Sequence, residues 1–333
     1  MGWASHFIYS QFFLTPPLPI TPLNSQVYII TGSNTGLGLA AAAHLARLNC
    51  ALIILAVRSE ARGRAAVTSL VASTGRPASS FAVWPLDLSS FASVRAFGER
   101  VAGMERLDAV IQNAGVLRED WVEAEGMEST ITINSVGAVL FGMLMLPKLR
   151  ESARKTGKMG RLSFVGSDLQ MQAKFTENQG REEAGLSVLQ ALGDEKKANM
   201  GDRYSTSKLL LILSVRALAQ QSPLTPESNV LINLVSPGAC QSDLFRSEPS
   251  FGMKIVVFLL NHIIGRRTDV GARVLVNGAS PELGAEAHGA FIWDDIRSPG
   301  GLAEGSKGKA LQEEWHKELW AKLESIHPGV TQF

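Results

Sequence analysis

The sequence predicts an α/β fold: one domain built on a doubly wound parallel sheet. Three observations carry that expectation. Short apolar runs recur along the chain, helical stretches separate them, and a glycine-rich turn follows the first run. A short run that is apolar throughout, without alternation, suits a strand covered on both faces, as in a parallel sheet between helix layers. There is no internal repeat, low-complexity tract or linker, so alternating strands and helices indicate a single unit. With 333 residues, 45% of them apolar, the chain can bury a substantial core. Its net charge of +1 provides no field to attract nucleic acid. Cys50 and Cys240 form no disulfide framework and fit a reducing compartment, so a cytoplasmic location is expected. Neither cysteine sits in a Cys/His cluster with ligand spacing, and no metal is expected.

The first run, Gln26 to Thr31, leads into Gly32-Ser-Asn-Thr-Gly36-Leu-Gly38. Those glycines turn the chain and let backbone approach a ligand closely. A helix over Leu39–Leu48 then starts with unpaired N–H groups, a natural seat for a pyrophosphate. By itself such a turn also suits a plain strand-to-helix connection. Residues 1–25 precede it as an arm, aromatic and proline-rich, without the basic start or long apolar stretch of a signal peptide. An arm packed on its own domain is the simpler reading, and a membrane-surface or partner contact the sharper one. No segment is expected to cross a membrane.

Ala51 to Val57 reads as the second strand and ends at Arg58. Arg58 lies twenty positions past Gly38, where an acidic residue would hold the ribose hydroxyls of NAD. An arginine there suits the 2′-phosphate of NADP, with Arg62 and Arg64 close behind. The third strand, Phe81–Leu86, ends at Asp87-Leu88, and Asp87 is either the cap of the helix Phe91–Ala102 or a contact to an adenine ring. Leu107–Gln112 is the fourth strand and is closed by Asn113-Ala-Gly115. A helix over Met127–Leu146 carries Asn134, a poor helix residue that a kink or a functional amide would explain. Arg161–Ser167 is the fifth strand. A polar segment, residues 168–203, then leads to the helix Tyr204–Gln220, the strand Val230–Val235 and the break Ser236-Pro-Gly238. Residues 251–264 are markedly apolar and suit a lid, a partner face or a membrane contact. A helix over Asp269–Ala279, a strand over Ala290–Trp293 and a helix over Lys309–Ile326 follow. Residues 26–300 therefore form the catalytic domain, with a substrate lid at 240–267, and residues 301–333 a C-terminal helix.

Tyr204 and Lys208 stand four apart, on one helix face, so phenol and ammonium share one space. A nearby positive charge favours phenolate and lowers the tyrosine pKa toward a value useful for proton transfer. Such a pair alone is also a common surface feature.

Taken in order, Thr31–Gly38, Asn113-Ala-Gly115, Asn134, Ser167, Tyr204 with Lys208, and Ser236-Pro-Gly238 resemble the motifs of the short-chain dehydrogenase/reductase family. The resemblance covers about residues 26–293 and implies a Rossmann-type sheet, an NADP(H) cofactor and a carbonyl or alcohol substrate. It is nearest to fungal members associated with secondary metabolism, and more distant from retinol dehydrogenase-type reductases. It implies that Tyr204 protonates the carbonyl oxygen during reduction, that Lys208 holds the nicotinamide ribose and tunes Tyr204, and that Ser167 hydrogen-bonds the reacting oxygen. Asn134 would anchor a water linking Lys208 to solvent. Thr31, Gly32, Asn34, Gly36, Leu37 and Gly38 would line the pyrophosphate side. Arg58, Asp87, Leu88 and Asn113 would serve the adenosine side, and Pro237, Gly238 and Ser242 the nicotinamide.

Two departures stand out. Gly166 occupies a position where many relatives have a second serine, and the stretch between Ser167 and Tyr204 is longer than the family norm. A homo-oligomer is possible. Two other readings remain open: a cofactor-binding regulator without turnover, and a membrane-surface enzyme for lipidic alcohols.

Overall fold

Eight strands among the described residues form one sheet in the order β3-β2-β1-β4-β7-β8-β9-β10. The structure is a computed structural model that describes residues 2–241, 244, 252, 254 and 258–332. The strands are β1 (Val27–Thr31), β2 (Leu52–Val57), β3 (Phe81–Pro85), β4 (Ala109–Gln112), β7 (Gly160–Val165), β8 (Val230–Val235), β9 (Phe291–Trp293) and β10 (Asp295–Arg297). Every pairing is parallel except β9 with β10. The apolar runs behave as their composition requires: every residue of β4, β7 and β8 is buried.

Helices cover both faces. On one face, α2 (Gly36–Arg47), α3 (Glu60–Thr74) and α9 (Thr268–Gly278) bury Leu45, Leu70 and Leu275 against the sheet. On the other, α4 (Phe91–Ala102), α6 (Ala138–Thr156), α8 (Met200–Gln221) and α10 (Gly305–Ile326) bury Phe97, Phe141, Leu211 and Trp315. The chain winds from β1 outward to β3, returns to β4 beside β1, and then winds the other way. Loops after β1 and β4 diverge at that reversal and leave a crevice at the carboxyl ends of the strands, where open α/β sheets hold ligands.

One expectation needs correction, and two features were not expected. The helix expected over Met127–Leu146 is interrupted. A small hairpin, β5 (Glu123–Ala124) with β6 (Met127–Glu128), precedes a single turn α5 (Ser129–Ile131) and a π-helical segment, Thr132–Gly137, before α6 begins. Asn134 sits in that segment, whose wider turn breaks the regular helical spacing. The arm contains a helix, α1 (Trp3–Phe13), missed because its apolar residues point both inward and outward. Finally, the run Ser129–Thr156 is long and apolar enough to span a bilayer, but 89% of its apolar window is buried inside the fold. It is a core helix. Thirteen residues of the expected lid, 242–243, 245–251, 253 and 255–257, lie outside the described residues, whereas Leu260–Ile264 near its end forms a π turn.

Gly166, the first departure, has a packing reason. A Cβ there would lie 2.1 Å from Leu234 Cδ2 and 2.8 Å from its Cγ. Leu234 is buried on β8 and fills the space a serine would need. Gly166→Ser should cost about 1–3 kcal/mol in urea unfolding through overpacking, and less in a Leu234→Ala background, where the obstructing side chain is gone.

Candidate active site

A cavity of about 760 Å³ opens at the sheet reversal. Its floor at one end is the turn after β1. Gly32 and Gly36 take positive φ of 65° and 56°, which a side chain would strain. A Cβ on Gly38 would lie 2.6 Å from Gly32 O and 2.8 Å from the Asn113 amide nitrogen, so only glycine lets α2 start this close to the loop. No side-chain cap hydrogen bond closes α2 at Thr35. Its first N–H groups and dipole thus favour an anion, such as a pyrophosphate, at that end.

Gly32, Asn34, Gly36, Leu37, Arg58, Asp87, Leu88, Asn113, Pro237 and Gly238 all line the cavity. Thr31 and Gly38 do not; they build the loop from behind. Thr31 Oγ1 accepts the Asn113 and Ala114 backbone N–H groups at 2.9 and 2.8 Å. Arg58 is exposed at the cavity edge, joined there by Ser59 and Arg62. Arg64 points elsewhere and pairs with Glu60 at 3.0 Å. Asp87 is not the cap of α4. Ser90 caps α4, while Asp87 accepts from the Ser89 N–H and hydroxyl and faces the cavity with its neighbour Leu88. Ser242 lies outside the described residues.

The other end holds Ser167, Tyr204 and Lys208. The π segment and the loop after β4 meet here through Asn134. Its Oδ1 accepts Val116 N–H at 2.8 Å, and its Nδ2 donates to Val116 O at 2.8 Å and Ser207 Oγ at 3.0 Å. A Cβ on Gly115 would lie 3.1 Å from Asn134 Oδ1 and 3.6 Å from Lys208 Nζ. The amide therefore positions the loop beside Lys208 and does not itself line the cavity.

Lys208 is buried, and its Nζ donates to Val165 O at 2.8 Å. Burial pulls its pKa down to about 8. Tyr204 departs from expectation. Burial holds its pKa above the usual phenol value, a hydrogen bond with Ser167 works against that, and the Asp168 charge adds to the rise. Lys208 Nζ is 5.8 Å from the Tyr204 ring centre. At that range the loss of water around the phenol outweighs the ammonium, so Tyr204 keeps its proton at neutral pH.

Sequence reading missed a second set of residues. Trp3 and Phe7 of α1 line the cavity, as do Asp168, Leu117, Ile133 and Leu244. Asp168 is buried, accepting Trp3 Nε1–H at 3.1 Å and the Ser236 hydroxyl at 3.1 Å. Burial raises its pKa. Aromatic content marked the arm as unusual, but nothing local in the sequence ties it to the crevice.

A family model described as short chain dehydrogenase matches residues 26–176. Short-chain dehydrogenase anuD of Penicillium roqueforti is 36% identical over 333 residues, covering 98% of this chain and 85% of the relative. The chain belongs to the short-chain dehydrogenase family. Short chain dehydrogenase/reductase dmxR8 of a Cryptosporiopsis species is 35% identical over 98% of both chains. Among solved structures, an uncharacterized protein from Mycobacterium paratuberculosis superposes with a TM-score of 0.63 at 22% identity, covering 92% of this chain and 95% of that one. That likeness concerns the fold.

In this short-chain dehydrogenase the long stretch between Ser167 and Tyr204 is anchored at both ends. Asp168 holds the start, and Arg203 holds the finish: fully buried, its guanidinium lies 3.1 Å from Glu177 and 3.7 Å from Glu128.

Lys208 yields a signed pH prediction. Its folded pKa, about 8, is below the 10.5 of an exposed lysine. Between those values the unfolded chain binds more protons, so stability rises with pH across that window, and the cost of burying the charge is fully present below it. The unfolding free energy of wild type relative to Lys208→Met should therefore increase by about 3 kcal/mol from pH 8 to 10.5 in denaturant titrations. A flat difference would contradict the burial effect.

Proposed function

We propose that this short-chain dehydrogenase is an NADP(H)-dependent oxidoreductase that reduces a ketone or aldehyde, or oxidises the matching alcohol. The observation that carries the reading is the meeting of Ser167, Tyr204 and Lys208 on the wall at one end of a cavity whose other end holds Arg58 and Arg62. The residues present fit a nicotinamide dinucleotide. A glycine cradle admits backbone contact with its pyrophosphate, α2 aims N–H groups there, and Asn113 with Asp87 and Leu88 borders the adenosine side. Arg58 at the end of β2 and Arg62 in the first turn of α3, with no carboxylate at position 58, suit a 2′-phosphate. When bound, the cofactor supplies or accepts the hydride.

The protein's own part is to manage charge and a proton at the substrate oxygen. Reduction of a carbonyl builds negative charge on that oxygen. Ser167 and Tyr204 are hydroxyl donors on the cavity wall, able to converge on one acceptor. Tyr204, protonated at neutral pH, gives its proton to the oxygen, and Ser167 keeps a hydrogen bond on it. Lys208 stands behind the phenol as the cation that stabilises phenolate once the proton has left. Asn134 holds the loop and Ser207 so that this helix face stays fixed. The apolar walls exclude water, which strengthens each of these contacts. Fungal relatives at this level of identity favour a place in secondary metabolism.

Tyr204→Phe should lower turnover by about 10²–10⁴-fold, the usual worth of a positioned proton donor, while NADPH binding by fluorescence titration changes little. Full activity in this variant would end the assignment. Arg58→Asp should weaken NADPH much more than NADH, about tenfold or beyond if one charge-assisted phosphate contact is lost. Unchanged discrimination would show that Arg58 is only solvated.

A further inference from the structure

The N-terminal helix forms one side of the substrate end of the cavity. Trp3 and Phe7 line it as a stacked aromatic pair, with ring centres 5.3 Å apart and planes within 18°. The same cavity is also lined by the aliphatic residues Val116, Leu117, Ile133 and Leu244. Trp3 cannot turn freely, because its indole N–H is bonded to the buried Asp168 carboxylate. Asp168 is the residue after Ser167, so the indole is bonded to the chain segment that carries Ser167, and Trp3, Ser167 and Tyr204 share one cavity. The helix itself is held at several points. Gln11 donates to Ala239 O at 2.8 Å and Ile264 O at 2.6 Å. Arg266 donates to Ser10 Oγ at 2.9 Å, and His6 lies 3.3 Å from Asp294.

We infer that Trp3 and Phe7 are specificity-determining residues, forming a fixed aromatic wall that selects flat aryl ketones whose carbonyl is attached directly to the ring system. Offset stacking on such a face rewards a planar π system beyond simple burial, and a flexible chain gains no such term. Rigidity matters as well: a wall already locked by Asp168 loses little side-chain freedom on binding. Because the wall is bonded to the segment that carries Ser167, a ring remote from the carbonyl would miss it. This inference rests on the reductase reading above and names the substrate class for that site.

The test compares methyl naphthyl ketone with methyl decyl ketone, matched in carbon count, using the full chain with NADPH. Trp3→Ala and Phe7→Ala should each lower kcat/KM for the naphthyl ketone about tenfold, chiefly through KM, and change the decyl ketone by less than about threefold. Trp3→Phe keeps a ring but cannot donate to Asp168, and should retain most of the naphthyl preference. Equal losses on both ketones in all variants, or no loss on the naphthyl ketone, would overturn the wall. NADPH affinity, unchanged across the series, reports that the fold is intact. Should wild type reduce neither ketone, the reductase reading fails, and calorimetric binding of methyl naphthyl ketone to wild type and Trp3→Ala still decides the wall: about tenfold weaker binding supports it, equal binding overturns it.

Discussion

One buried hydroxyl joins the two halves of the doubly wound sheet. Thr31, fully buried at the end of β1, accepts two backbone N–H groups from the loop that follows β4. Asn113 answers by donating its side-chain amide to Thr31 O at 2.9 Å. Each such bond is worth about 0.5–1.5 kcal/mol net, and more is lost if a buried donor is left without a partner. The glycine turn, the crevice and the placement of Asn113 all depend on this junction. It lies at the reversal of strand order, where no continuous helix layer can bridge the two directions of winding.

A second constraint acts at the far end of the cavity. Arg203 carries its charge fully buried, between Glu177 from the inserted stretch and Glu128 from the hairpin that precedes the π segment. Removing one partner from such a cluster exposes the full cost of a buried charge, so the three residues stand or fall together. Arg203 is followed directly by Tyr204. The position of the phenol is thereby tied to two segments that ordinary helix packing would leave independent.

Much of this was legible in the sequence, for reasons that differ by residue. Apolar runs marked where the strands lie because a strand buried on both faces has no room for polar alternation. Gly32, Gly36 and Gly38 were readable because backbone crowding and positive φ leave no other choice. Tyr204 and Lys208 were readable because helical spacing alone puts them on one face. The tyrosine's pKa was not, since it reflects loss of water, a property of three-dimensional enclosure and not of spacing. Asn134 signalled an irregularity without revealing its form. Trp3, Phe7 and Asp168 stayed hidden for another reason: their meeting joins residues far apart in the chain, and α1 lacks the one-sided pattern that betrays a docked helix.

The anchoring of α1 has a consequence for how the enzyme comes into being. Its contacts reach Ala239, Ile264, Arg266 and Asp294, all in the later part of the chain. During synthesis α1 emerges before every one of these partners and must wait without them until Asp294 has been made. The sheet and the glycine turn can assemble earlier from nearer parts. The glycine turn and the α1 side of the cavity would then mature at different times, the second only when α1 has met Ala239, Ile264, Arg266 and Asp294.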